Sequence, residues 1–126
     1  MLTPTLTQDS LKKIDRELTK YPADQRQSAI MAGLAIAQEE KGWLAAETIE
    51  EVARYIGIEP IAAYEVASFY NMYDLQPVGK YKLTVCTNLP CMLTGGVDAG
   101  EYLKKKLGID YNETTADGKF TLKQGE

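Results

Sequence analysis

The residues best suited to chemistry in this 126-residue sequence are its two cysteines, Cys86 and Cys91, which are separated by four residues. The first ends a predicted strand and the second lies on the loop that follows. This arrangement can place two sulfur atoms on one iron, and the amides of residues 87–90, except at Pro90, could hydrogen-bond to cluster sulfides. The spacing alone leaves alternatives open, because such cysteines can also be ordinary buried thiols or form a reversible disulfide.

Composition excludes several other kinds of site. The sequence has no histidine, which removes Ser-His-Asp and Cys-His nucleophiles, His-ligated metals and the Rieske type of cluster. The formal net charge of −4 and the lack of a basic run argue against a nucleic-acid-binding protein. The adjacent acidic pairs 39–40 and 50–51 are typical of solvated helix faces, so we predict no catalytic residue.

The elements that must position the cysteines follow from periodicity. Apolar residues at helical spacing predict four helices in the first half: one from a cap at Thr7 or Asp9 to residue 21, then 24–41, 46–56 and a fourth that opens at Pro60 and carries apolar residues as far as Tyr73. Their aromatic residues are interpreted as core or docking surface: Trp43, Tyr64, Phe69, Tyr70 and Tyr73. Beyond residue 77 the pattern alternates and predicts a strand at 81–86, a loop at 87–90, a helix at 97–107 and a second strand starting at 119–122.

This order of elements predicts an α+β fold with two parts, an N-terminal helical region at 1–76 and the start of a β-loop-α-β domain at 77–126. A single β-α-β opening exposes two sheet edges and cannot cover both faces of its sheet. The second part is therefore expected to be incomplete at its C-terminal end. The N-terminus lacks the pattern of a secretory signal, and no apolar run reaches the length of a membrane helix, so we expect a cytoplasmic chain without a membrane span.

Longer stretches of the sequence carry a resemblance to a known family. The segments 24–30, 37–44, 64–73 and 77–81 are followed by 85–92, which reads Val-Cys-Thr-Asn-Leu-Pro-Cys-Met. From about residue 18 onward the sequence resembles the 24 kDa subunit family of respiratory complex I, the bacterial form of which is the NADH-quinone oxidoreductase.

The resemblance implies a helical region joined to a thioredoxin-like [2Fe-2S] ferredoxin domain. In the family, two cluster ligands come from a Cys-x4-Cys pair, which Cys86 and Cys91 match, and two from a later Cys-x3-Cys pair that has no counterpart in this sequence. The resemblance therefore implies a ligand set that is incomplete within these residues. It also implies that FMN and NADH are bound by a partner subunit only.

The function implied by the resemblance is that of an electron-transfer subunit with no catalytic activity of its own. Its partners would be the flavin- and NADH-binding subunit and other peripheral-arm subunits, on the cytoplasmic side of the bacterial inner membrane. Three alternatives stay open: the equivalent subunit of an NAD-linked hydrogenase or formate dehydrogenase, a cluster-free docking module, and a thioredoxin-like dithiol protein. The last is disfavoured because the redox motif is Cys-x-x-Cys.

Overall fold

The computed structural model describes residues 6–126, and its chain divides into two compact units, Met1–Pro77 and Val78–Glu126. The first unit is helical and the second combines helices with a small sheet, which confirms the predicted α+β class. Within residues 6–126, no helix has both the length and the apolar character needed to cross a membrane.

Between residues 6 and 77, the described part of the helical unit, there are four α-helices and one 3-10 helix. In chain order they are α1 (Gln8–Leu18), the 3-10 helix (Ala23–Ala29), α2 (Ile30–Lys41), α3 (Ala46–Ile56) and α4 (Pro60–Phe69). Apolar residues at helical spacing bring one face of each α-helix into a common core. The largest fully buried side chains of this core are Ile14, Leu34, Leu44, Ile49, Val52 and Ile56.

The start of α1 is held by a carboxylate from the end of α2. Oε1 of Glu40 accepts hydrogen bonds from the Thr7 amide at 2.9 Å, the Thr7 hydroxyl at 2.6 Å and the Ser10 hydroxyl at 2.7 Å. These hydrogen bonds lower the pKa of Glu40 from its ordinary 4.5 to about 2, and the two from the side-chain hydroxyls have the largest effect. The hydroxyl of Thr7 also caps α1 by accepting from the Ser10 amide, so of the two predicted caps, Thr7 and Asp9, Thr7 is the one used.

Three helix boundaries differ from the sequence prediction. The segment expected to be one helix at 24–41 is a 3-10 helix followed by α2; Gln25 has non-helical angles within the 3-10 helix (φ −122°, ψ 31°), and Ala29, where α2 begins, lies outside the α region (φ −87°, ψ 0°). Helix α1 ends at Leu18 and is followed by a turn rather than continuing to residue 21. Helix α4 ends at Phe69, because the backbone of Tyr70 is extended (φ −89°, ψ 131°).

The aromatic residues near the end of α4 divide into buried and exposed ones. Tyr73 is buried and donates its hydroxyl hydrogen bond to the Met31 carbonyl at 3.0 Å. The rings of Phe69 and Tyr70 lie edge to face with their centroids 4.9 Å apart, and Phe69 is 78% exposed. The interpretation as core therefore holds for Tyr73, whereas Phe69 and Tyr70 present apolar surface to solvent.

The second unit is a β-α-α-β arrangement around two parallel strands. Its elements are β1 (Tyr81–Cys86), α5 (Leu89–Leu93), α6 (Gly96–Leu107) and β2 (Phe120–Gly125). The strands pair in register from Tyr81 opposite Phe120 to Cys86 opposite Gly125. Helix α6 lies close to the sheet at Gly100, where an added Cβ would overlap the hydroxyl of Tyr111 and lie 3.7 Å from Cγ1 of Val85.

One element of this unit differs from the prediction, because the segment expected to be a loop up to Cys91 contains the short helix α5. Strand β2 begins at Phe120, within the predicted start at 119–122, and its pairing with β1 continues to Gly125.

Candidate metal centre

The two cysteines lie on adjacent elements of the second unit. Cys86 is the last residue of β1 and Cys91 is the middle residue of α5. Both are free thiols of intermediate exposure. The side-chain hydrogen bond between them, with the electrostatic effect of Cys86 and desolvation in addition, raises the pKa of Cys91 above its ordinary value. The structure thus brings together the two residues predicted to act as a pair.

The end of β1 is fixed by its neighbour in the sheet. The amide of Thr87 donates to the carbonyl of Gly125 at 3.1 Å, and the side-chain amide of Gln124 donates to the Thr87 hydroxyl at 2.8 Å. These bonds continue the parallel pairing one residue past Cys86. Cys86 is therefore positioned by the sheet rather than by a free loop.

Helix α5 fixes the second cysteine. Asn88 caps the helix by accepting a hydrogen bond from the Leu89 amide at 2.8 Å. At the other end, the hydroxyl of Thr94 donates to the carbonyls of Pro90 at 3.1 Å and Cys91 at 3.2 Å. The sequence suggested that the amides of Thr87 and Leu89 could donate hydrogen bonds to cluster sulfides. In the structure both amides donate within the chain instead.

Gly96, the first residue of α6, lies against the backbone of both cysteines. A Cβ built on Gly96 would lie 2.5 Å from the Cys86 carbonyl oxygen and 2.9 Å from that of Cys91. Only glycine leaves room for this approach. From the sequence alone, Gly96 was not assigned a role at the cysteines. The available signal was a Gly-Gly pair between the second cysteine and a predicted helix.

The donor chemistry of the pair suits one iron of a thiolate-bound cluster. Two thiolates on one tetrahedral metal with bonds of about 2.3 Å lie roughly 3.7 Å apart, so the two ligands must come from neighbouring elements, as Cys86 on β1 and Cys91 on α5 do. A [2Fe-2S] cluster needs four such ligands. Among residues 6–126 there is no group of three or more His, Cys, Asp or Glu side chains that could hold a metal ion. The residues present therefore fit half of a cluster site.

Comparison with known proteins identifies the family. The model of the thioredoxin-like [2Fe-2S] ferredoxin family matches residues 14–126. The chain is 44% identical over 121 residues to mitochondrial NADH dehydrogenase [ubiquinone] flavoprotein 2 of Dictyostelium discoideum, a match that covers 95% of this chain and 49% of that protein.

Bacterial relatives have a similar sequence identity to this chain. Identity is 42% over 113 residues to NADH-quinone oxidoreductase subunit 2 of Thermus thermophilus, covering 90% of this chain and 62% of the relative. It is 43% over 123 residues to an NADH-quinone oxidoreductase subunit of Rickettsia conorii, covering 97% and 74%. The chain thus spans between about half and three quarters of the length of these relatives. By both the family model and these relatives, the chain belongs to the thioredoxin-like [2Fe-2S] ferredoxin family, which includes these NADH-quinone oxidoreductase subunits.

Proposed function

We propose that this chain is an electron-transfer subunit of an NADH-quinone oxidoreductase and that Cys86 and Cys91 are ligands to one iron of its [2Fe-2S] cluster. The observation that carries this proposal is the convergence of the two cysteines, whose carbonyl oxygens both lie within 2.9 Å of the Cβ position built on Gly96, inside the region matched by the ferredoxin family. The names of the bacterial relatives support the choice of enzyme complex.

In this function the chain's own residues would bind and position the cluster, and none takes part in proton transfer during the reaction. A [2Fe-2S] cluster supplies one-electron transfer when it is bound. Cys86 and Cys91 would hold it as thiolates, having released their protons. Gly96 allows α6 to pack against both cysteines, and the Thr94 hydroxyl holds the carbonyl of Cys91 in place. Such supporting contacts orient the ligands and so affect how tightly they bind.

The other two thiolates would come from protein outside these 126 residues, since the sequence contains two cysteines and no histidine. We assign the ligand-bearing part to residues 77–126 and a docking role to residues 1–76. The expected partner is the subunit that binds FMN and oxidises NADH, together with other peripheral-arm subunits on the cytoplasmic side of the membrane. Exposed apolar side chains on α4 support a docking surface, with Ile61 65% and Phe69 78% exposed.

The ligand assignment is tested by anaerobic reconstitution with iron, sulfide and excess dithiothreitol, which can supply the missing thiolates. We expect equal amounts of iron and acid-labile sulfide on the chain and an electron paramagnetic resonance signal of a [2Fe-2S] cluster after reduction. Cys86→Ser and Cys91→Ser should each lose this signal. The exposed substitution Lys105→Ser on α6 is the control and should retain it. Equal iron content in the cysteine variants and the control would contradict the assignment.

A cluster-free docking module is the second candidate, and it is favoured by the same exposed α4 residues. Absence of any cluster under these conditions, together with co-purification of the chain with the flavin-binding subunit, would support it. A Phe69→Asp variant should weaken that association in either case. The partners recovered would also distinguish a quinone reductase from an NAD-linked hydrogenase or formate dehydrogenase.

A further inference from the structure

We propose that a second copy of this chain supplies the two missing thiolates, so that two chains hold one [2Fe-2S] cluster between them and each binds one iron through Cys86 and Cys91. This inference rests on the proposed function, in which these cysteines are ligands to one iron. It adds the source of the other half of the ligand set and the surface through which the two copies meet.

The first support is the number of ligands in the chain. A [2Fe-2S] cluster is held by four thiolates, two on each iron. The sequence contains two cysteines and no histidine. The main chains of the two cysteines converge, since their carbonyl oxygens lie 2.5 Å and 2.9 Å from the Cβ position built on Gly96. One chain therefore presents half of a symmetric ligand set, and two identical halves complete it.

The second support is the apolar surface on both sides of Cys91. Helix α5 has the sequence Leu-Pro-Cys-Met-Leu, and none of its residues is buried. A helix that is apolar on every side is normally covered by other protein. Leu89, Met92 and Leu93 are 59%, 45% and 73% exposed, and Val97, in the first turn of α6, is 42% exposed. These four side chains form what we call the α5 patch.

The lack of charge around the cysteines favours a second copy as the occupant of the α5 patch. Between Lys82 and Asp98 the sequence has no charged residue. When two copies meet through the same surface, the same charges face each other across the two-fold axis and oppose association. The α5 patch carries no charge, whereas α4, the exposed apolar helix of the other unit, begins after Glu59 and contains Glu65. Contact between two copies is therefore favoured on α5 and disfavoured on α4.

The size of the α5 patch indicates that the cluster is needed to join the copies. Four partly exposed side chains of this kind present a few hundred Å² of apolar surface, which is about the most that a monomer usually exposes. Two such patches in contact would bury less than the ~1,200 Å² at the lower end of stable interfaces. We therefore expect the iron-free chain to be monomeric at micromolar concentration and the four Fe–S bonds to hold the loaded dimer together.

Loading can proceed by ligand exchange, without a change in the oxidation state of iron. Two chains react with one [2Fe-2S] cluster that is held by four glutathione thiolates. Four Fe–S bonds to glutathione break and four to cysteine form, while the four protein thiols give their protons to the released thiolates. The products are one cluster-bridged dimer and four glutathione molecules. The exchange is favoured because two thiolates on one chain replace two separate molecules on each iron.

The experiment treats the iron-free 126-residue chain anaerobically with this glutathione-held cluster and measures native mass, iron and acid-labile sulfide. We expect a dimer that contains one iron and one sulfide per chain and retains no glutathione. Removal of the iron with a chelator should return the monomer. The double variant that combines Cys86→Ser with Cys91→Ser should stay monomeric and free of iron.

The surface is tested by Leu93→Asp, which puts a charge into the α5 patch at a position that is 73% exposed and so leaves the fold intact. We expect the yield of loaded dimer to fall by roughly tenfold or more, because two carboxylates would face each other. The control is Lys105→Asp, which adds a carboxylate at an exposed position near the other end of α6 and should leave dimer formation unchanged. Equal dimer yields from the two variants would overturn the assignment of the surface.

A loaded monomer that holds two irons and retains two glutathione molecules would overturn this proposal and leave the ligand assignment standing. Cluster uptake that occurs only after the flavin-binding subunit or another protein is added would do the same, because that protein rather than a second copy would supply the ligands. If neither the glutathione-held cluster nor reconstitution with excess dithiothreitol loads the chain, the proposed electron-transfer function fails together with the dimer.

Discussion

The two units of this chain differ in how well they bury apolar surface. In the helical unit, side chains from α1 to α4 form one buried cluster. Among residues 78–126, Leu122 is the one large apolar side chain that is fully buried, whereas Tyr102 and Leu93 are 61% and 73% exposed. A two-stranded sheet with so small a core is at best marginally stable on its own. The candidate ligands thus lie in the less stable unit, which is where segments that open and rearrange are usually found.

Matched core substitutions give the largest expected effects. Leu34→Ala should lower the free energy of unfolding of the helical unit by about 2–5 kcal/mol through lost burial and a residual cavity. Leu122→Ala should remove the ordered structure of β1 and β2 while the helices persist, because among residues 78–126 no other large side chain is fully buried. Circular dichroism and nuclear magnetic resonance would follow the two units. The exposed Leu93→Ala is the control, and a helical unit that melts together with the sheet in Leu122→Ala would contradict the comparison.

Hydrogen exchange tests the same difference without substitution. We expect amides of α2 and α3 to exchange only through global unfolding, and amides of β1 and β2 to exchange faster by roughly two orders of magnitude or more. The reason is that the strands can open without disturbing the helical core. Uniform protection from residue 81 to residue 122, at the level of the helical core, would show that the second unit is as stable as the first.

Substitutions at the two ends of α6, at Gly96 and Gly108, test whether the cysteines depend on the close packing at Gly96. Gly96→Ala places a methyl group 2.5 Å from the Cys86 carbonyl oxygen, and backbone cannot yield as a side chain can. We expect a loss of about 1–3 kcal/mol, as for an overpacked site, together with loss of iron uptake. Gly108→Ala, at the far end of α6, is the control, because it has a left-handed φ of 68° but open space around it. It should cost about 1 kcal/mol through backbone strain and leave iron uptake intact.

Glu40 gives the smallest expected effect and concerns the helical unit alone. Glu40→Gln should lower the stability of that unit by about 1–2 kcal/mol at neutral pH, because three hydrogen bonds lose their charged acceptor. The folded-state pKa of Glu40 is depressed to about 2 from 4.5, so its contribution is present above pH 4.5 and is lost as the pH falls towards 2.

Urea titrations of the unsubstituted chain and Glu40→Gln across that pH range would measure this contribution. The difference in stability between the two should shrink on acidification. The control is Glu39→Gln at the exposed neighbouring position, which should have the same stability as the unsubstituted chain across this pH range. A constant difference between pH 5 and pH 2 would mean that the charge of Glu40 does not stabilise the start of α1.

Local sequence patterns were sufficient to predict the bounds of elements that have a clear periodicity and clear end residues. Helix α3 and strand β1 have the predicted bounds, and glycines, which often end helices in the left-handed region, follow α2 and α3 at Gly42 (φ 85°) and Gly57 (φ 93°). The class of the fold and the pairing of the two cysteines in space could also be predicted. That the pair binds iron stays a prediction.

Elements fixed by distant partners could not be predicted in the same way. Strand β2 continues to Gly125 because it pairs with β1 up to that residue. A local sequence pattern does not indicate which strand will pair with which. Helix α5 has only five residues, too few for a periodic signal, although Asn88 as its cap and Pro90 in its first turn are both helix-start residues. The approach of Gly96 to the cysteines depends on how α6 packs, which spacing in the sequence does not encode.

The parallel pairing of β1 with β2 also sets an order of events during synthesis. The helical core is made of residues that precede Pro77, so it can form once residues up to Pro77 are available. Strand β1 must wait for residues 120–125, because its partner strand within the described chain is β2. Until then nothing holds Cys86 opposite Gly125. The sulfur pair is therefore expected to be assembled late on the growing chain, after the helices are already folded.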